Sequence, residues 1–403
     1  MASPRQDLLA LCRLDAPAGL ERGVLERVAD PAYCAGLWRL AARHRVYGLT
    51  HCVLARSAGP GDTATADTLR HLRRGAALLQ MTRDDLVRTL RSAGVESVVL
   101  KGAAVLDTLY REPAERDLDD FDVLVRSEDV QRAVDALRST GYHEHAALPS
   151  PQAYVRHHFH LPLHHRTRPV VEIHWALSRP FWPFQLDAQR VYDDAVVVQS
   201  SAGLVMRIPR PEHLILHVVL QNLQESFSRL GRLVDIDRVV ASATGLDWDV
   251  LIREAHAGCL GPATSLSLQM TSRLLGSPIP ESIVRDLRPS PVARFHLAIL
   301  EPVASLVSQR LSHTLAGRQV QRLWLVDRMR QRLAVLGSFL RADDDAVDLD
   351  RHAVGPVRGA IKLLRLVTFQ GSAYVAAAAR SLTAPGRAQM RFWSSHARSS
   401  DLL

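Results

Sequence analysis

The chain has 403 residues, 47% of them hydrophobic and 23% charged, with a formal net charge of +8. That length allows two or three domains with ample core, and the composition is ordinary for a globular protein. Aromatic residues make up only 5%, which leaves little material for the stacking surfaces of single-strand nucleic-acid binders.

Charge is unevenly placed. Residues 351–403 hold eight Arg or Lys against one acid, Asp401, so most of the excess lies in a basic C-terminal segment. Such a segment suits capture of a nucleic acid or another acidic partner, or packs onto neighbouring helices through Ile361, Leu363, Leu364, Leu366 and Val367. The four cysteines (Cys12, Cys34, Cys52, Cys259) form no CxxC pair, which argues against structural zinc or a disulfide framework. No apolar run approaches the roughly 20 residues of a transmembrane segment, and the N-terminus lacks the apolar core of a signal peptide. A cytoplasmic location is expected.

In chain order, residues 1–64 read as helices over 6–14, 20–29 and 34–55. Leu69, Leu72, Leu79, Leu86 and Leu90 recur at helical spacing, predicting a long helix over 65–93 that Gly94 closes. Ser97–Leu100 is a short valine-rich strand, followed by a turn at Lys101-Gly102-Ala103 and a helix to about Tyr110. A second strand opens with Asp120-Phe121-Asp122, and Ser127 starts a helix that Gly141 ends. The segments 156–165 and 170–177 form a hairpin candidate. From Pro211 onward the pattern is helical, over 211–226, 230–243, 248–276, 290–341 and 354–383, with an acidic linker at 343–350. The expected class is α/β (α+β): a small mixed-sheet core flanked by helical regions. The expected boundaries are 1–94 (N-terminal helical region), 95–208 (core), 209–345 (helical domain) and 346–403 (basic C-terminal segment).

The chemistry concentrates at 98–125. Strand side chains alternate faces, so Asp120 and Asp122 point one way while Phe121 and Val123 point the other. Two carboxylates on one face of an apolar strand suit a metal-holding pair. Asp117 and Asp119 offer the same spacing but precede the apolar strand, so 120 and 122 are preferred. By the same alternation Glu172 and His174 share a face of the later strand, opposite Val171, Ile173 and Trp175. Phosphoryl and nucleotidyl transfer require carboxylates that hold Mg²⁺ and backbone N–H groups that cradle phosphates. Glu172 is a candidate third carboxylate, holding metal or accepting a proton; an ordinary strand-edge role is its alternative.

The order Leu100-Lys101-Gly102, then Arg116 four residues before Asp-Phe-Asp-Val-Leu-Val, then Val171-Glu172-Ile173-His174-Trp175, resembles the polymerase-β-like nucleotidyltransferase superfamily. Within it, these motifs and the later Leu-Val-Asp235-Ile are similar to an uncharacterised bacterial branch. The likeness covers about 95–240. It implies Mg²⁺ (or Mn²⁺) at Asp120, Asp122 and Glu172, and NTP phosphates, ATP first among donors, at Lys101, Gly102, Ala103 and Arg116. The acceptor stays open among small molecule, peptide and saccharide. The superfamily's usual Gly-Ser (or Gly-Gly) turn is here Lys101-Gly102-Ala103, so the serine contact to phosphate is missing, with Lys101 as a candidate point charge in its stead. That departure supports an alternative, a nucleotide- or partner-binding module weakened in catalysis.

Arg116 has Glu112 and Glu115 as alternative local partners, and Asp235 has Arg232. His157, His158, His160, His164, His165 and His174 are the densest histidine cluster. Alternation sends them to both strand faces, and no His-Glu-x-x-His motif accompanies them, which argues against zinc. His160, His174 and Asp235 are the candidates for lining the groove.

Overall fold

The computed structural model describes residues 3–16, 18–57, 63–144, 158–180, 182–242 and 245–287, with 322–323, 325–326 and 330–335 beyond them. The expected helix at 354–383, the acidic linker, the basic segment, His157 and most of the expected helix at 290–341 lie outside these residues.

A mixed six-stranded sheet is the centre of the fold. Its strands are β1 (Val98–Val99), β2 (Asp120–Leu124), β3 (His160–Leu163), β4 (Val170–His174), β5 (Val196–Gln199) and β6 (Val205–Ile208), in the order β3-β4-β2-β1-β6-β5. Neighbours β2/β4 and β1/β6 are parallel, while β1/β2, β3/β4 and β5/β6 are antiparallel. The odd-numbered residues Phe121, Val123, Val171 and Ile173 of the two central strands are wholly buried. The even-numbered ones carry the polar groups, as the alternation predicts.

The β5–β6 hairpin adds two strands that the sequence pattern does not announce. Val196 and Val197 are exposed and no Asn-Gly or Asp-Gly turn marks the connection. The β3–β4 hairpin is present with a tighter extent than expected.

Helices enclose the sheet. The long helix is Thr63–Ser92, and Gly94 follows it with φ +70°. Its Arg83 is wholly buried, bonded to Asp84 at 2.7 Å and to the Ala103 carbonyl at 3.3 Å, which ties this helix to the turn after β1. The helix starting at Lys101 ends at Val105 rather than near Tyr110, and residues 106–111 continue as turns.

Two further expected helices are each split. Pro31–Arg43 and Tyr47–Ser57 are separated by Arg45, whose φ of +58° cannot continue a right-handed helix. Asp117 then caps the second of them, accepting from the backbone N–H of Tyr47 at 3.0 Å and of Gly48 at 2.9 Å. Trp248–Ala257 and Gly261–Leu275 are separated by Cys259, with φ +58°. Pro211–Gln224 and Leu230–Ser242 match their expected extents closely. One large buried cluster runs from Leu8 in the first helix through the sheet to Leu287. Among the described residues, no helix is long and apolar enough to cross a membrane.

Backbone contacts lock the N-terminal helices in place. A Cβ on Gly48 would stand 2.0 Å from the Ala114 carbonyl oxygen, and one on Gly231 would stand 2.6 Å from that of Arg45. Gly231 N–H also donates to the His44 carbonyl at 2.9 Å. We therefore expect Gly48→Ala to lower stability by about 2 kcal/mol, the cost of overpacking a tight contact, seen as a lower urea midpoint at unchanged slope.

Candidate active site

The register of three strands assembles the site. In the parallel β2/β4 pair, Asp122 lies opposite Glu172 and Leu124 opposite His174; in the antiparallel β3/β4 pair, His160 lies opposite His174. Asp120, Asp122, Glu172, His174 and His160 thus form a contiguous polar patch on one sheet face. Oxygens from Asp120, Asp122 and Glu172 lie within 4.8 Å of one another. This is a donor set of hard oxygens that fits Mg²⁺ or Mn²⁺.

The patch is compensated by two cations. Lys101, where the chain turns off β1, ion-pairs with Asp122 and reaches Glu172 at 3.5 Å. His174 Nε2 lies 2.8 Å from Asp122 and 3.3 Å from Glu172, while its Nδ1 faces the Ala176 carbonyl at 3.3 Å. With acceptors at both nitrogens the protonated imidazole is favoured: burial opposes its charge, but the hydrogen bonds to Asp122 and Glu172 outweigh it and raise its pKa. Burial likewise opposes ionisation of Asp122 and Glu172. Lys101 and His174 outweigh it at Asp122; His174, His160 and Lys101 outweigh it at Glu172. Both carboxyls are therefore held below their ordinary range. Asp120 shifts the other way, pushed up by burial and by the charge of Asp122. His160 has its pKa lowered to about 3 by burial and by His174, so it is neutral.

Lys101 stands in a left-handed conformation, φ +51°, at the first position of its helix. That conformation is uncommon for a residue with a Cβ, and it is held here by the ion pairs and by the Leu100 N–H bond to the Asp122 carbonyl at 2.9 Å. Gly102 is glycine because of close approach: a Cβ there would stand 3.0 Å from Leu118 and 3.4 Å from the Arg116 guanidinium. Ala103 is fully buried in the core, with its carbonyl taken by Arg83, and does not line the cleft.

A cleft of about 370 Å³ opens over the patch. Its floor is Lys101, Gly102, Asp120, Glu172, His174 and His160, and its opposite wall is His217, Gln221, Gln224, Arg229 and Arg232, with Arg45 at the rim. Arg116 lines it too, but its guanidinium is committed. It grips Asp235 with two bonds, Nε at 2.8 Å and Nη2 at 2.9 Å, and Tyr110 donates to the same carboxylate at 2.6 Å. This corrects both local alternatives: Glu115 pairs with Arg56, Glu112 with Arg73, and Arg232 with Glu225 at 3.3 Å. Asp235 is buried behind the cleft, lining a small cavity with His217 and Lys101. Asp117 and Asp119 are employed elsewhere, as the helix cap already described and as the partner of Arg45. Among the histidines, His164 bridges to His143 and His165 caps its own turn by accepting from the Thr167 and Arg168 N–H groups at 3.1 and 3.2 Å.

A family model described as an uncharacterised nucleotidyltransferase matches residues 32–276, more than half of the chain. The chain belongs to that nucleotidyltransferase family. Among solved structures it is similar to an antigenic nucleotidyltransferase-like protein from Paracoccidioides brasiliensis, at 16% identity over 52% of this chain and 93% of that one, with a TM-score of 0.34. No curated protein matches it.

The wall of the cleft in this family member carries residues that the sequence motifs do not single out. His217, Gln221 and Gln224 recur at steps of four and three in a helix whose Leu214–Leu216 and Val218–Leu220 are apolar, and that spacing is the signal for a polar stripe on one face. Arg45 carries no such signal, because its position depends on the break between two helices.

The ion pairs predict two outcomes. Lys101→Met removes one of the two cations that close on buried Asp122 and should cost about 3 kcal/mol at neutral pH. Because the Asp122 pKa is lowered in the folded state, that contribution exists above the unfolded carboxyl value of about 3.9 and fades below it, so urea midpoints of variant and parent should converge in acid. Asp235→Ala strands the buried Arg116 and should cost a similar amount. Adding Arg116→Met should recover most of it in a double-mutant cycle.

Proposed function

We propose that the cleft moves a nucleoside monophosphate from an NTP to an acceptor oxygen, releasing pyrophosphate. The observation that carries this is the convergence of Asp120, Asp122 and Glu172, with Asp120 and Glu172 lining the floor of a cleft whose other wall is cationic and Asp122 buried just beneath it. Asp120, Asp122 and Glu172 would hold a divalent ion, which would supply positive charge to offset that growing on the leaving group.

The protein's own groups supply the rest. Lys101 places a compact charge beside the carboxylates, where it can follow a triphosphate. Arg229 and Arg232 share a single carboxylate, Glu225, so their remaining donors are available to phosphate oxygens across the cleft. Arg116 acts through position: clamped on Asp235, it shapes the floor under Gly102. The acceptor oxygen attacks the α-phosphorus, the bond to the bridging oxygen breaks, and pyrophosphate departs. A hydroxyl acceptor gives its proton to Asp120, whose carboxyl is the one pushed upward; Glu172, held low, suits a ligand role. The chemical class of acceptor is left to experiment, and ATP is the donor to try first.

A second reading has its own observation. The Lys101–Asp122 pair sets a fixed cation within the carboxylate cluster, as a module that binds nucleotide without turnover would require. Pyrophosphate release with Mg²⁺ separates the two. Transfer requires a parental rate that falls at least 1,000-fold, on the order of 4 kcal/mol, in Asp120→Asn. Nucleotide binding by calorimetry without pyrophosphate release would leave the binding module standing.

A further inference from the structure

The carboxylate triad has a neighbour made partly of nitrogen. One donor atom each from His160, Glu172 and His174 lie within 4.8 Å of one another, a set that shares only Glu172 with the triad. His174 Nε2 is 3.3 Å from Glu172 Oε2, and His160 Nε2 is 3.8 Å from Glu172 Oε1. Bonds of roughly 2.0–2.2 Å from one ion place its donors about 3–4 Å apart, so these separations need little adjustment.

We propose that His160, Glu172 and His174 form a cation subsite that takes a first-row transition ion of the Zn²⁺ class in preference to Mg²⁺. Imidazole nitrogen favours such ions, whereas Mg²⁺ selects oxygen. The orientation of His174 is that of a ligand. Its Nδ1 is taken by the Ala176 carbonyl, the arrangement by which ring N–H groups orient metal-bound imidazoles, and its Nε2 faces both Asp122 at 2.8 Å and Glu172 at 3.3 Å, so a bound cation would take the place of the Nε2 proton between them. His160 gives the second observation. Its Nδ1 is buried with no hydrogen-bond partner, and its Nε2 approaches Glu172 beyond hydrogen-bond distance. An imidazole beside a carboxylate that makes no hydrogen bond to it calls for an explanation, and a shared cation supplies one. Phe159, packed edge-on at 4.3 Å, and His174, with ring centroids 5.0 Å away, hold the ring in place.

The subsite shares Glu172 with the proposed transferase site. Its test uses metal alone and no nucleotide, so the two readings fail separately. Calorimetry on the full chain, freed of metal by chelation, should give Zn²⁺ affinity at least 100-fold above that for Mg²⁺. His160→Gln, at a partly exposed side chain, should reduce that preference at least tenfold, whereas Asp120→Asn, which removes an oxygen donor of the triad and none of the subsite, should keep or widen it. Co²⁺ serves as an independent probe on the parent protein: nitrogen ligation at low coordination number yields intense visible bands, and an all-oxygen octahedral site yields weak ones. Weak cobalt bands, or equal Zn²⁺ and Mg²⁺ affinities, would overturn the proposal. So would a folded His160→Gln that binds Zn²⁺ as the parent does.

Discussion

The alignment of Asp122 with Glu172 across a parallel strand pair is the constraint on which the site depends. Both carboxylates face one way because each occupies an even position, and a slip of one residue would turn the pair into the core. The fully buried Phe121, Val123, Val171 and Ile173 on the opposite face make that slip prohibitive. The apolar half of each strand therefore fixes where the acidic half points. Charge compensation follows from it: Asp122 is tolerable at 1% exposure only because Lys101 and His174 close on it.

The second constraint is long-range. Arg116 precedes β2 and Asp235 sits in the helix Leu230–Ser242, 119 positions later, yet they form the bidentate pair that joins sheet to helices. Tyr110 completes the junction; burial and then the Asp235 charge push its pKa well up, so it remains a donor. The two motifs, widely spaced along the chain, are two sides of one contact.

Period and turn chemistry made the central strands, the long helix and the Asp120–Asp122 face legible, because local rules act there without competition. Legibility ends where tertiary contacts overrule those rules. The sequence around Arg45 is helix-forming throughout, and only the docking of that turn on Gly231 and the cap from Asp117 divide it in two. The local alternatives for Arg116 and Asp235 fail for a related reason: Glu112 and Glu115 are claimed by Arg73 and Arg56 from other helices, and Arg232 turns to Glu225. Edge strand β5 is too short and too exposed to show a pattern.

The contact at Gly231 also bears on how the cleft keeps its width. Arg45 at the rim and Arg229 and Arg232 on the wall stand on either side of a backbone-to-backbone seam, with no side chain interposed at its closest point. A seam of that kind has no rotamers to readjust, so the two sides cannot drift apart by small increments. The gap across which a substrate must fit is thus a dimension of the main chain, and changes to side chains within it alter what it holds without altering its size.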